Sequence, residues 1–152
     1  GTSGSVDKSA TKGEIFIATA AVRDDGTSKQ YIPIEFPAIA SHDVVGNLIQ
    51  ASKDIGIDTK VGICQSKDSF FGETEPERMP VAPYLDYKWS SWKKGGVGAS
   101  EMEAATLFTL CHIKKIRAGA VLAIETSDKE TVQDMTKIVL ESITYMEEKR
   151  NV

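Results

Sequence analysis

Cysteine is scarce in this chain of 152 residues. Cys64 and Cys111 each sit inside an apolar run. A disulfide framework needs more of them, so reduced, buried thiols are expected. Histidine is equally rare. His42 and His112 show no metal-ligand spacing to each other or to the cysteines, so no metal site is expected, and His112, late in an apolar helix, reads as structural. Positive charge is in deficit: 18 Lys and Arg stand against 22 Asp and Glu, a formal net charge of −4. Phosphate backbones need a basic face, so no nucleic-acid partner is expected, although a local basic pocket is compatible with that total. No apolar run reaches the roughly 20 residues of a membrane span. No membrane partner and a cytoplasmic setting follow as expectations. A Ser-His-Asp pattern, a P-loop and a dinucleotide fingerprint are also missing.

What is present suits one globular domain over residues 1–152. Hydrophobic residues make up 41% and charged residues 26%, ordinary shares for a chain able to bury a real core. GEIFIATAAV (13–22) reads as a buried strand, followed by turn chemistry in RDDGTSKQ. YIPIEFPAIA, with two prolines, reads as irregular or edge structure. Residues 41–57 have helical spacing, with Ser41 as N-cap and Gly56 as C-cap. TKVGICQS (59–66) is a second strand, and 67–83 a long polar loop. Residues 84–96 read as an amphipathic helix, VGAS as a very short strand or turn, and 101–115 as an apolar, well-buried helix. RAGAVLAIET (117–126) is a third strand. A final amphipathic helix starts at Ser127, which forms a capping box with Glu130. The alternation predicts an α/β fold, helices packed on a largely parallel sheet.

Three stretches carry chemistry. GASEMEAATLF (98–108) puts Glu101 and Glu103 around Met102 at the mouth of an apolar helix. Acidic residues favour a helix's first turn, but residues two apart do not share a face. At most one of the pair caps, and a carboxylate can accept from two neighbouring hydroxyls at once, as sugar binding requires. GTSGS (1–5) reads either as a flexible linker or as a turn whose N–H groups and hydroxyls suit an oxyanion. The loop KDSFFGETEPERMPV offers Phe70 or Phe71 for stacking on a planar ligand and Arg78 as a donor to a carbonyl, against the plainer alternative of a solvated loop.

Together GTSGS, EIFIATAAVRDDGTSKQYIPIEFPAIA, VGICQSKDSFFGETEPERMPV, KWSSWKKGGVGASEMEAATLF and RAGAVLAI resemble the nucleoside phosphorylase family, its uridine-cleaving members most closely. The resemblance implies a three-layer α/β/α fold with a mixed, largely parallel sheet. It implies a pentosyltransferase that converts uridine and phosphate into uracil and ribose 1-phosphate, with no cofactor beyond inorganic phosphate as co-substrate. Carried over by position, Thr2 binds phosphate; Glu101, Met102 and Glu103 hold the ribose; Phe70, Glu73 and Arg78 meet the base. Glu103 and Arg78 act as the catalytic groups, one favouring the cationic sugar and the other the anionic base. A homo-oligomer, dimer or hexamer, is also implied.

Two departures accompany the resemblance. Where uridine-cleaving relatives carry a glutamine that reads the uracil edge, this chain has Glu73, which when ionised keeps the acceptor and loses the donor. The family also has about a third of its length before the glycine turn, bearing the opening strands, most of the phosphate-binding arginines and a histidine that reaches a neighbouring subunit. The likeness is therefore expected only to the family's C-terminal two-thirds, with a sheet incomplete at the N-terminus, an open edge and an incomplete phosphate site. A chain that opens at GTSGS without methionine fits a piece of something longer. Two alternatives stay open: a purine nucleoside phosphorylase, with Asp128 as proton donor rather than helix cap, and a non-catalytic fragment that binds nucleosides.

Overall fold

The apolar run after Gly13 forms the longest strand, and the rest of the sheet is arranged around it. The computed structural model describes residues 1–6 and 10–148. Its strands are β1 (Thr2–Ser5), β2 (Ile15–Asp24), β3 (Ala38–Ile39), β4 (Thr59–Lys67), β5 (Val97–Glu101) and β6 (Ala120–Ile124). Its helices are α1 (His42–Asp54), α2 (Phe71–Thr74), α3 (Ala82–Lys94), α4 (Ala104–Lys114) and α5 (Lys129–Glu148).

Ile15, Phe16, Ile17 and Ala18 are all buried, the pattern of a strand covered on both faces. Along its length β2 pairs in parallel with β4. Its other edge is shared. Ile15–Ala18 meet β6 in antiparallel register, and Ala20–Ala21 then meet β3. Since β5 links β4 to β1, and β1 links β5 to β6, the strands β2, β4, β5, β1 and β6 close into a ring, with β3 attached outside it. A bulge between Ala18 and Ala20 supplies local bending. The sheet is mixed, with β2–β4, β4–β5 and β1–β6 parallel and the other pairings antiparallel. β6 is paired on both sides, and β3 forms the edge.

Phe16 fills the space between β4 and β5. A Cβ on Gly62 would stand 3.2 Å from its ring, and one on Gly98 only 2.6 Å from it. The strand that ends at Glu101 therefore needs glycine at position 98 to lie this close to β2. Helix α1 packs on α5, and α4 packs on β2, β3 and β4. The loop after β2 is fixed from inside. The Arg23 guanidinium donates to Ser28 Oγ at 2.9 Å and to the carbonyls of Ser28 at 3.0 Å and Ile32 at 2.9 Å. Asp25 accepts from the Ser28 hydroxyl at 2.8 Å and from Thr106 Oγ1 at 3.0 Å, which ties this loop to α4.

Several elements differ from the sequence expectation. GTSGS is a strand between β5 and β6 rather than a turn, because its backbone groups complete the ring. VGAS extends through Glu101 as a fully buried strand, so the following helix starts at Ala104. That helix is not buried all round: Leu107 and Ile113 are exposed, as is His112, whose ring meets Phe36 edge-on at 5.9 Å. The loop at 67–83 contains α2 and a 3-10 turn at Pro76–Arg78. Asp128, rather than Ser127, caps α5, accepting from Thr131 N at 2.9 Å. Ser41 stands at the N-cap of α1 but makes no side-chain cap bond. Its hydroxyl instead accepts from Ala118 N at 2.9 Å.

Candidate functional site

β4 and β5 run parallel and end side by side, at Lys67 and Glu101. Beyond β4 the chain turns back through α2. Ser69 Oγ accepts from Gly72 N at 3.0 Å and Asp68 Oδ2 from Gly26 N at 2.7 Å, fixing that turn. Beside these ends lies a cleft of about 620 Å³, within the size range of small-molecule sites. β1 contributes Thr2, Ser3 and Gly4; the β4 end and its loop Lys67, Phe70, Glu73 and Thr74; β5 and the α4 entrance Ser100 to Glu103; and the segment after β6 Glu125 to Ser127. Glu125 turns the chain there with φ 49°, a left-handed conformation uncommon outside glycine.

The two glutamates of the EME stretch take different jobs. Glu101 is 5% exposed. Its Oε1 accepts from the Ser66 hydroxyl, and its Oε2 from Glu103 N at 2.8 Å and Ala104 N at 2.7 Å. It caps α4 from the preceding strand and satisfies helix-start N–H groups that would otherwise be orphaned. Glu101 borders the cleft, as expected of a residue beside the sugar, with its carboxylate oxygens occupied by these bonds. Burial beside this carboxylate holds the Cys64 thiol protonated, by desolvation first and by the charge second. Glu103 is exposed, and its side chain has no hydrogen-bond partner among the described residues. It borders the cleft and also an apolar hollow of about 460 Å³ between α1, α4, α5 and β6.

Of the residues expected around the ligand, the structure brings Thr2, Phe70, Glu73, Glu101, Met102 and Glu103 to one cleft, with Phe70 and Met102 exposed at 56% and 40%. It does not bring Arg78 there. That guanidinium pairs with Glu75 three residues earlier and is largely exposed, because the 3-10 turn points it back along its own loop.

A buried polar chain under Glu73 was missed from sequence. Lys88 pairs with Asp24, and Asp24 Oδ2 accepts from Gln65 Nε2 at 2.9 Å. Gln65 Oε1 and Glu73 Oε2 lie 2.6 Å and 2.9 Å from Ser100 Oγ, which also accepts from Lys67 Nζ at 2.6 Å. Lys67 and Glu73 stand 3.2 Å apart as an ion pair, with side chains 9% and 13% exposed. Burial raises the Glu73 pKa above the usual glutamate value, and Lys67 and Ser100 work against that rise. One signal was available: Lys67 directly follows the apolar run TKVGICQS, read as a strand, where a charge needs a partner. Charge in the cleft is lopsided, with carboxylates at Glu73, Glu101, Glu103 and Glu125 against one ammonium at Lys67.

The profile of the phosphorylase superfamily covers residues 1–148, and the chain belongs to that family. Among its relatives, uridine phosphorylase from Treponema pallidum (strain Nichols) is 39% identical over 138 residues, 91% of this chain and 54% of that protein. Uridine phosphorylase from Escherichia coli (strain K12) is 34% identical over 93% of this chain and 62% of its own length. Guanosine phosphorylase from Halorubrum lacusprofundi is 34% identical over 82% of this chain and 47% of its own. The likeness thus runs over nearly all of this chain, which spans between about half and three-fifths of these relatives, and the expected restriction to the family's C-terminal two-thirds is not supported by these matches.

Proposed function

We propose that the cleft binds uridine and that this chain serves its phosphorolysis to uracil and ribose 1-phosphate, with inorganic phosphate as co-substrate. The observation that carries this is the unpartnered Glu103 carboxylate, which borders the same cleft as the exposed Phe70 ring and the Lys67–Glu73 pair. Uridine has three parts to be met: ribose hydroxyls, a flat base, and a bond whose cleavage makes the sugar cationic and the base anionic. Glu103 accepts from the hydroxyls and stabilises the cation. A carboxylate fixed beside a developing cation stabilises it electrostatically, the more so as the bound ligand excludes water. Met102 packs on the sugar, Phe70 stacks on the base, and Glu101 acts through the backbone it caps, holding residues 102–104 in place. Thr2 meets the phosphate. Arg78, outside the cleft in this arrangement, carries no step.

We further infer that residues 1–152 work as one domain, in the cytoplasm and within a homo-oligomer, either a dimer or a hexamer. Exposed Leu107, Leu140 and Ile143 supply apolar surface for such contacts.

Uracil release from uridine, followed with and without phosphate, tests the function. Release that requires phosphate supports it; absence of both binding and release refutes it. The charge balance of the cleft favours a second reading, nucleoside binding without turnover, since one ammonium among four carboxylates is poor company for a phosphate dianion. Uridine bound and left intact would support that alternative. A purine substrate is disfavoured by Asp128. Its carboxylate accepts from the Thr126 hydroxyl and from Thr131 as the cap of α5, and it does not line the cleft. Inosine tested alongside uridine checks this.

A further inference from the structure

The polar chain beneath Glu73 has a proton order that can be deduced. Asp24 pairs with Lys88 and accepts from Gln65 Nε2, so the Gln65 amide turns its NH2 toward Asp24 and its carbonyl oxygen toward Ser100. Ser100 then gives its one proton to Gln65 and accepts from Lys67. An ammonium has three protons. One of Lys67's goes to Ser100 and one to Glu73 Oε2. The third has no protein partner among the described residues, and neither has Glu73 Oε1. Both side chains are nearly buried, and both border the cleft beside Phe70. One donor and one acceptor, adjacent and unsatisfied, are the complement of a ring edge with an N–H next to a carbonyl.

We propose that Lys67 and Glu73 together read the base, Glu73 Oε1 accepting the ring N–H and the Lys67 ammonium donating to the neighbouring carbonyl. The pair does with two side chains what one amide would do with its two ends. It selects an imide edge, as in uracil, and rejects the inverted edge of cytosine, which sets a ring acceptor against Glu73 and an amino donor against Lys67. The ammonium also lies where a departing base gathers negative charge on its carbonyl oxygens. The network through Ser100, Gln65, Asp24 and Lys88 orients the pair without touching the ligand. This proposal rests on the nucleoside-binding function proposed above.

The test is calorimetric titration of the full chain with uridine, uracil, 3-methyluridine and cytidine, the sugar on N1 leaving only the N3 edge to differ, repeated for Lys67→Met and Lys67→Arg. Hydrogen bonds to charged groups imply that 3-methyluridine and cytidine bind about ten- to a hundredfold more weakly than uridine. Lys67→Met loses uridine affinity by a similar factor and narrows the gap between uridine and cytidine; Lys67→Arg keeps a cation and recovers part of the loss. If Lys67→Met does not fold, the ligand series on the unaltered chain decides alone. Equal binding of uridine and cytidine, or undiminished uridine binding by a folded Lys67→Met protein, overturns the proposal. Uridine bound without discrimination between bases sinks this proposal only. No binding of uridine or uracil sinks it together with the proposed function.

Discussion

Replacing Glu101 by alanine removes a carboxylate that accepts from the Ser66 hydroxyl and from the N–H groups of Glu103 and Ala104. Loss of a helix cap costs about 1–2 kcal/mol, and a buried donor left without an acceptor adds about 1–3 kcal/mol. A combined loss of about 3 kcal/mol is expected, and for a chain of this length that lowers the melting temperature by roughly 6–12 °C. Glu103→Ala is the paired control. Its side chain is exposed and unpartnered, so it should change stability by less than about 0.5 kcal/mol. Thermal and denaturant unfolding followed by circular dichroism reads both variants. The division of labour between the glutamates is wrong if Glu101→Ala unfolds within about 0.5 kcal/mol of the unaltered chain, the same surface-substitution range. A Glu103→Ala variant as unstable as Glu101→Ala would contradict it equally.

Three further outcomes are expected. Phe70→Ala should weaken uridine binding about five- to tenfold, the scale of an aromatic stacking contact, whereas Arg78→Ala should change it less than twofold because that guanidinium pairs with Glu75 outside the cleft; titration of both distinguishes the placement from the sequence expectation. Gly98→Ala should destabilise by about 1–3 kcal/mol through overpacking against Phe16, seen as a lowered denaturant midpoint. Burial pushes the Asp25 pKa up, but hydrogen bonds from Ser28 and Thr106 outweigh it and hold the pKa below the ordinary aspartate value. Its contribution is therefore present above about pH 4 and is lost as pH falls through the lowered pKa. The stability gap between the unaltered chain and Asp25→Asn should accordingly shrink on acidification.

Element type was legible where apolar periodicity was strong: β2, β4, β6, α1 and α5 fall where the pattern put them, to within a few residues. The errors share a cause. GTSGS has the composition of a turn, and only the neighbouring strands, distant in sequence, make it β1. The helix at the EME stretch starts late because pairing with β4 extends β5 to Glu101. The sequence showed that the two glutamates could not share a role; it did not show which would turn inward, since that depends on Ser66, far along the chain. The Lys67–Ser100–Gln65–Asp24 chain joins three strands, and no local signal reports such a contact. Ring closure through β2 and β6 was likewise invisible, being a matter of strand curvature rather than residue type.

Equilibrium titration of uridine into the unaltered chain and into Glu103→Ala, at matched fold stability, probes the cleft at its centre. Loss of a hydrogen-bonding charge should weaken binding at least tenfold while the unfolding midpoint stays put. Equal affinity in the two proteins, or no affinity in either, would contradict a sugar held at residue 103.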